Sequence, residues 1–210
     1  MSRLMKIING PRLIVLSLLL LSGACHPKEV SRKKLVAMIQ HDATLNQERE
    51  VNGIKIAMKY IPGQLLVAQE LENKGAGGIG ELPTLERKYE GQYYFRLSLS
   101  KDGKELARQA GSAGQYSDMI RLLSFELGKY VNASTETVDS LGLSDYAFEQ
   151  DFGMSTENKI LLVFRKKDFD RSDRINVNVG EFGLGTGSMR FVFSKHEMKG
   201  LPALDYRQVD

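Results

Sequence analysis

The feature that most constrains the fold is a series of short segments in which apolar and polar residues alternate, separated by turn-forming residues. The clearest segment is residues 93–100. In a strand, one side of this segment would carry Phe95, Leu97 and Leu99, and the opposite side would carry Tyr94, Arg96 and Ser98. Asp102 and Gly103 follow as a hairpin turn, because both residue types tolerate positive φ. Further segments expected to form strands cover residues 54–60, 146–152, 159–164, 175–179 and 189–193. Consecutive strands joined by short turns pair in antiparallel fashion, so the pattern predicts an antiparallel sheet or sandwich.

A single long helix is expected against this sheet, over about residues 117–131. Ser117 would cap its first turn, and apolar residues recur at helical spacing through Leu123 and Leu127. Leu122 and Phe125 widen the apolar face, which predicts a mostly buried helix. The predicted fold class is therefore α+β and β-rich, an antiparallel sheet or sandwich with this one main buried helix. Residues 64–72 would form a short helical turn, and the glycine-rich residues 74–80 a flexible loop.

The first 24 residues have the layout of a secretory signal. Arg3, Lys6 and Arg12 precede or border a short apolar run, no acidic residue occurs before Glu29, and small residues follow the run. The apolar run is shorter than the ~20 residues that a membrane-spanning helix needs. Directly after it stands Cys25, the single cysteine of the chain.

Residues 21–25, Leu-Ser-Gly-Ala-Cys, resemble the lipobox of bacterial lipoproteins. The resemblance implies transfer of a diacylglyceryl group to the sulfur of Cys25, cleavage by signal peptidase II between Ala24 and Cys25, and acylation of the new amino terminus. A cysteine is required because its thiolate is a strong nucleophile near neutral pH. The expected location is the cell envelope, on the outer membrane, with membrane lipid as a partner through acylated Cys25.

The expected organisation is a signal peptide over residues 1–24, a short tether over 25–34 and a single β-rich domain over 35–210. The domain is similar to uncharacterised bacterial lipoproteins, on motifs at residues 54–56, 60–62, 66–70, 148–149, 183–187 and 191–193. That resemblance implies one domain and brings no activity or site residues.

Charge and cysteine content exclude two classes of interaction. The chain has 29 Lys and Arg against 26 Asp and Glu, and three of the basic residues belong to the signal, so the remainder carries equal numbers of each sign. A nucleic-acid partner is therefore not expected, because such binding relies on excess positive charge. A lone cysteine gives no disulfide framework.

The sequence contains no recognisable catalytic or cofactor motif. His26, His41 and His196 lack partners at metal-ligand spacing. The glycine-rich residues 183–187 lead into a strand, whereas a dinucleotide or hydrolase motif would lead into a helix, so a structural turn is expected. Residues 168–173 begin like a calcium loop, but Asp173 stands where glycine is needed and Val179 where glutamate is needed. No metal site and no cofactor are predicted.

These observations predict a lipid-anchored, non-catalytic envelope module that binds a protein or glycan, or serves an envelope assembly. Tyr94, Arg96 and Ser98 form the contact surface expected from the strand pattern, because aromatic and arginine side chains anchor interfaces. Covered by a helix, the same three residues would be ordinary packing. Two alternatives stay open, namely a hydrolase with a dispersed carboxylate pair and a small-ligand carrier with an apolar cavity under the helix.

Overall fold

The computed structural model describes residues 29–150 and 154–207. Within these residues the strands are β1 (Asn46–Val51), β2 (Ile54–Ile61), β3 (Gln92–Lys101), β4 (Lys104–Glu105), β5 (Val131–Ser134), β6 (Leu141–Gly142), β7 (Asp145–Glu149), β8 (Asn158–Arg165), β9 (Arg174–Val179) and β10 (Met189–Ser194). The α-helices are α1 (Arg32–His41), α2 (Gly63–Lys74), α3 (Leu82–Glu90), α4 (Ala113–Arg121) and α5 (Lys195–Lys199). The predicted signal, Ala24 and Cys25 lie outside the described residues.

Two antiparallel sheets form the centre of the molecule. The first has the order β1-β2-β3-β8-β7, with β4 added to β3, and the second has the order β10-β9-β5-β6. Phe95, Leu97 and Leu99 of β3 are fully buried, as their alternation predicts. The predicted antiparallel pairing and the α+β class are thus confirmed.

The two sheets share one hydrophobic core. The ring of Phe95 on β3 lies 4.6 Å from the ring of Phe193 on β10, centroid to centroid. At one side of the molecule, the Gln47 side chain of β1 donates to the carbonyl of Val192 at 2.7 Å and accepts from its N–H at 3.3 Å. These contacts join the sheets into a sandwich.

Tight turns fix the register of the first sheet. Asp102 and Gly103 have φ values of 50° and 69°, which confirms the predicted hairpin. The return strand of this hairpin is short, because β4 ends at Glu105 and a 3-10 helix follows over Leu106–Gln109. There the N–H of Ala107 donates to the side-chain oxygen of Asn158 at 2.8 Å, so a side chain replaces the next strand partner.

Helices α1, α2 and α3 cover the face of the first sheet that is turned away from the second. Tyr89 of α3 packs edge-on against Tyr94 of β3, with ring centroids 5.8 Å apart. An ion pair between Arg32 and Glu72 joins α1 to α2. Helix α2 confirms the helical segment predicted at 64–72, whereas the flexible loop predicted at 74–80 is wrong. Those residues form a 3-10 helix, Gly75–Glu81, that continues into α3.

Folded structure begins earlier than the boundary expected at residue 35. The N–H of Val30 donates to the carbonyl of Ala203 at 2.9 Å, and the N–H of Asp205 donates to the carbonyl of Val30 at 3.0 Å. The hydroxyl of Ser31 then caps α1. Residues 29–34, assigned to the tether by their polarity, therefore belong to the fold. Their partners lie near the other end of the chain, which local sequence does not reveal.

The helix predicted at 117–131 differs from the structure in its bounds and in its burial. Ser112, and not Ser117, caps α4, and the α-helix gives way to a π-helical turn at Leu122–Glu126 and a 3-10 turn at Leu127–Lys129. Leu123 and Leu127 are fully buried, but Phe125 is 79% exposed. The helical spacing used to place Phe125 on the apolar face fails because the wider π turn rotates the residues that follow α4.

Candidate functional site

The three predicted contact residues on β3 are mostly covered. Tyr94 and Ser98 are 5% and 8% exposed, so the expectation that they form an open contact surface is wrong. Arg96 keeps 27% of its side chain exposed. The helices over this face of the sheet cover them, so they act mainly as packing residues, which is the alternative that the sequence left open.

Tyr94 and Arg96 nevertheless support two side chains that face clefts. The ring of Tyr94 packs against the ring of Tyr89 in an edge-on contact. The Nη2 of Arg96 lies 3.0 Å from the Oε1 of Glu149 on β7. Burial raises the pKa of Tyr94 to about 12, so its hydroxyl stays neutral at all physiological pH values. These two residues of β3 thus position groups that a ligand could reach.

The first cleft, here named the Glu149 cleft, lies between α2 and the outer face of the first sheet. It has a volume of about 360 Å³. Tyr89 forms one wall, and the remaining lining combines apolar with polar side chains, from Leu66, Gln69, Glu70, Asn73, Glu149 and Leu161. Carboxylate and amide oxygens here are available to accept hydrogen bonds from a ligand.

The second cleft, the Lys166 cleft, also uses Tyr89 as a wall. Its volume is about 390 Å³, and its lining includes Gln64, Glu86, Glu90, Lys166 and Tyr206. Burial lowers the pKa of Lys166, although Glu90 acts in the opposite direction. Burial, with a smaller contribution from Glu86, raises the pKa of Tyr206 to about 12. The cleft therefore combines a partly desolvated cation, two carboxylates and two tyrosine side chains.

Tyr89 stands between the two clefts and is held in place by Glu70. Its hydroxyl donates to Oε2 of Glu70 at 2.6 Å, and Lys88 reaches the same oxygen at 2.7 Å. The bonds from Lys88, and then from Tyr89, lower the pKa of Glu70. Glycine at position 63 lets the start of α2 approach this point, because a Cβ there would lie 3.2 Å from the Tyr89 carbonyl oxygen.

The carboxylates of the two clefts differ from the acid pair that glycoside hydrolases use. Glycoside hydrolysis requires one carboxyl that keeps its proton, opposite a second across the scissile bond. In the Glu149 cleft, the pKa of Glu70 is lowered and Glu149 is paired with Arg96. In the Lys166 cleft, Glu86 and Glu90 lie one turn apart on the same helix, and so on the same side.

Two of the other sequence candidates, His41 and residues 168–173, make local contacts within the fold. The Nδ1 of exposed His41 lies 2.7 Å from the carbonyl oxygen of Ala37, within its own helix. In residues 168–173, Asp168 accepts from Arg165 at 2.9 Å, and the Ser172 hydroxyl donates to the carbonyl of Arg174 at 2.6 Å. Over residues 29–150 and 154–207, no group of three His, Cys, Asp or Glu side chains could hold a metal ion.

The glycine-rich loop at 183–187 encloses a carboxylate from its own chain. The side chain of Glu181 accepts hydrogen bonds from the N–H groups of Gly183, Leu184, Gly185 and Gly187, at distances from 2.5 to 3.0 Å. Desolvation raises the pKa of Glu181, but these backbone bonds outweigh it and lower the pKa to about 2. A turn was predicted here, but the acid that fills it was missed.

Sequence reasoning also missed Tyr89, Glu70 and Tyr206. Leu82, Leu85 and Tyr89 have helical spacing, and this signal could have identified α3. No local signal marks Tyr206, because its neighbours in the cleft come from α2, α3 and the 3-10 turn that follows β8.

Comparisons with protein-family models and with curated proteins found no match to this chain. In the part of the chain that the structure describes, none of the helices combines the length and apolar character needed to cross a bilayer.

Proposed function

We propose that this protein is a lipid-anchored, non-catalytic module of the bacterial cell envelope that binds a glycan in the two clefts beside Tyr89. The observation that carries the proposal is the lining of the clefts. Tyr89 separates them, Tyr206 adds a second ring, and carboxylates and amides surround both.

This lining matches the chemistry of a hydroxyl-rich ligand. Sugar hydroxyls donate hydrogen bonds, and the clefts present acceptors from Glu86, Glu90, Glu149 and the amide of Gln69. The C–H faces of a sugar ring are apolar and pack against tyrosine, whose ring is apolar and whose hydroxyl is polar. A few polar groups at fixed positions give such clefts their specificity.

Support for the anchor comes from the sequence. Residues 21–25 resemble the lipobox, and the four Cα–Cα steps from Cys25 to Glu29 can span at most ~14 Å when extended. A domain that begins by residue 29 would therefore stay close to the bilayer, where envelope glycan is within reach. Several acyl chains on one cysteine would make attachment durable, since each buried CH₂ contributes ~0.8 kcal/mol.

A binding assay with isolated, insoluble cell-wall glycan tests the ligand. The double variant Glu86→Gln/Glu90→Gln keeps the shape of the Lys166 cleft and removes two charged acceptors. We expect binding to weaken at least ~10-fold, because hydrogen bonds to charged groups contribute ~1.5–3 kcal/mol each. Glu50→Gln, an exposed acid on β1, is the matched control and should bind like the wild type. Absence of saturable binding by the wild-type protein would refute glycan recognition.

Metabolic labelling tests the anchor independently. Cells given an alkyne fatty acid should label the wild-type protein, and Cys25→Ser should abolish the label because the acceptor sulfur is gone. Equal labelling of both proteins would exclude a lipid on Cys25.

A further inference from the structure

A third cavity, larger than the two clefts, lies beside α4 at the end of the β2–β3 pair. Its volume is about 570 Å³, within the range of ~300–1,000 Å³ that small-molecule sites occupy. We propose that this α4 cavity binds an amphipathic small molecule with an apolar chain and a single anionic head group. The proposal goes beyond glycan binding and does not depend on it.

The apolar part of the proposal rests on the lining. Side chains from four separate parts of the chain meet there: Ile54, Leu106, Met119, Leu122, Phe182 and Leu184. Several of these, including Met119 and Leu184, are only partly buried although they pack against the core. A ligand chain in the cavity would remove their remaining surface from water, which stabilises a complex by ~25 cal/mol per Å².

The helix that bounds the cavity is itself short of packing. None of the nine residues of α4 is fully buried, whereas α1, α2, α3 and α5 each bury at least one side chain. Short helices depend on tertiary packing for most of their stability. A ligand between α4 and the sheet end would supply contacts that the protein alone does not make.

The π turn that follows α4 buries a side chain in the core, whereas α4 itself buries none fully. Leu123 and Leu127 anchor the following turns, with both side chains fully buried. Single π turns inside helices are frequent at functional sites. The cavity therefore lies between a π turn that the core holds in place and a helix, α4, that the core does not cover.

The charged side chains that line the cavity indicate which head group fits. Both carboxylates of the lining are paired with cations, Asp118 with Arg121 and Glu126 with Arg121 and Lys129, so two acidic charges are balanced by two basic ones. Lys101 also lines the cavity, and among the described residues no carboxylate forms an ion pair with it. Asp102, in the adjoining turn, does not line the cavity.

Lys101 also lies directly opposite Lys104 in the β3–β4 register. Like charges directly opposite each other on neighbouring strands are destabilising. An anionic head group near Lys101 would offset this repulsion while its chain occupies the apolar part of the cavity.

Photo-crosslinking in isolated membranes tests the proposal on the protein as it exists. A diazirine-bearing dodecanoate is added, and the labelled peptides are identified by mass spectrometry. We expect saturable labelling of α4 and of the loop at 182–184, which unlabelled dodecanoate suppresses. Labelling that is spread over the surface, or that unlabelled dodecanoate does not suppress, would overturn the proposal.

Two pairs of variants sharpen the test. Met119→Glu puts a negative charge in the cavity, which opposes both the apolar chain and the carboxylate of the probe, and should reduce labelling at least 5-fold. Met38→Glu, on the exposed side of α1, should leave labelling unchanged. Lys101→Met should reduce labelling by the dodecanoate probe and not by the matching dodecanol probe, with Lys33→Met as control. Equal labelling in Met119→Glu and the wild type would refute the site.

A last variant guards against misfolding. Ala110→Trp fills the cavity from a partly exposed position without adding charge, and its thermal midpoint is compared with that of the wild type. A folded Ala110→Trp protein should lose labelling in the same peptides; if it keeps the label, the cavity is not the binding site.

Discussion

Leu123→Ala should destabilise the protein far more than Phe125→Ala, although the two residues lie in the same π turn. Leu123 is 0% exposed and joins the shared core, whereas Phe125 is 79% exposed. Truncating a fully buried leucine to alanine costs ~2–5 kcal/mol, from the lost burial and the cavity that remains. Truncating an exposed side chain usually changes stability by less than ~0.5 kcal/mol.

The loss expected for Leu123→Ala is a large share of the ~5–15 kcal/mol that stabilises a typical domain. For a protein of this size, ~3 kcal/mol lowers the thermal midpoint by roughly 6–12 °C. Urea denaturation of the wild type and the two variants, followed by circular dichroism, gives the free energies of unfolding. Similar m-values are required for a fair comparison, because m reports the surface exposed on unfolding.

Two results would refute this reasoning. If Leu123→Ala lost less than ~0.5 kcal/mol, the π turn would not be attached to the core as described. If Phe125→Ala lost as much as Leu123→Ala, both side chains would be buried, as the regular helix expected from the sequence requires.

Two further predictions concern the turns. Glu181→Gln should lower the thermal midpoint at neutral pH, because the ionised carboxylate accepts hydrogen bonds from the loop N–H groups. The pKa of Glu181 is about 2 in the folded protein against an ordinary 4.5. The stabilisation is therefore present above pH 4.5 and is lost as the pH falls towards 2. Melting curves at pH 7, 4 and 2 should therefore show the difference between the wild type and Glu181→Gln shrinking with acidity, and a constant difference would contradict the assignment. Gly103→Ala should cost ~1–2 kcal/mol, because φ is +69° there, while Gly91→Ala, at φ −75° with equally open space for a Cβ, should be nearly neutral. Equal losses in urea denaturation would show that φ is not the cause.

The sequence by itself determined the features that depend on neighbouring residues. The strands at β2, β3 and β9 follow from period-two alternation, those at β8 and β10 from short apolar segments beside turns, and the hairpin at Asp102 and Gly103 from residues that tolerate positive φ. The balance of charge, which argues against a nucleic-acid partner, needs no structure at all. Each of these depends on a pattern that spans fewer than about ten residues, or on composition.

The tertiary structure alone decided which surfaces are open. The alternation in β3 separates Phe95 from Tyr94 and Arg96, but only the packing of α3 determines that Tyr94 is covered. Only the strand order β3-β8-β7 brings Arg96 to Glu149. The Lys166 cleft joins residues from position 63 to position 206, and no local pattern encodes that meeting. The π turn after α4 also depends on contacts that are distant in sequence. Burial of Leu123 and Leu127 in the shared core outweighs regular helical spacing there.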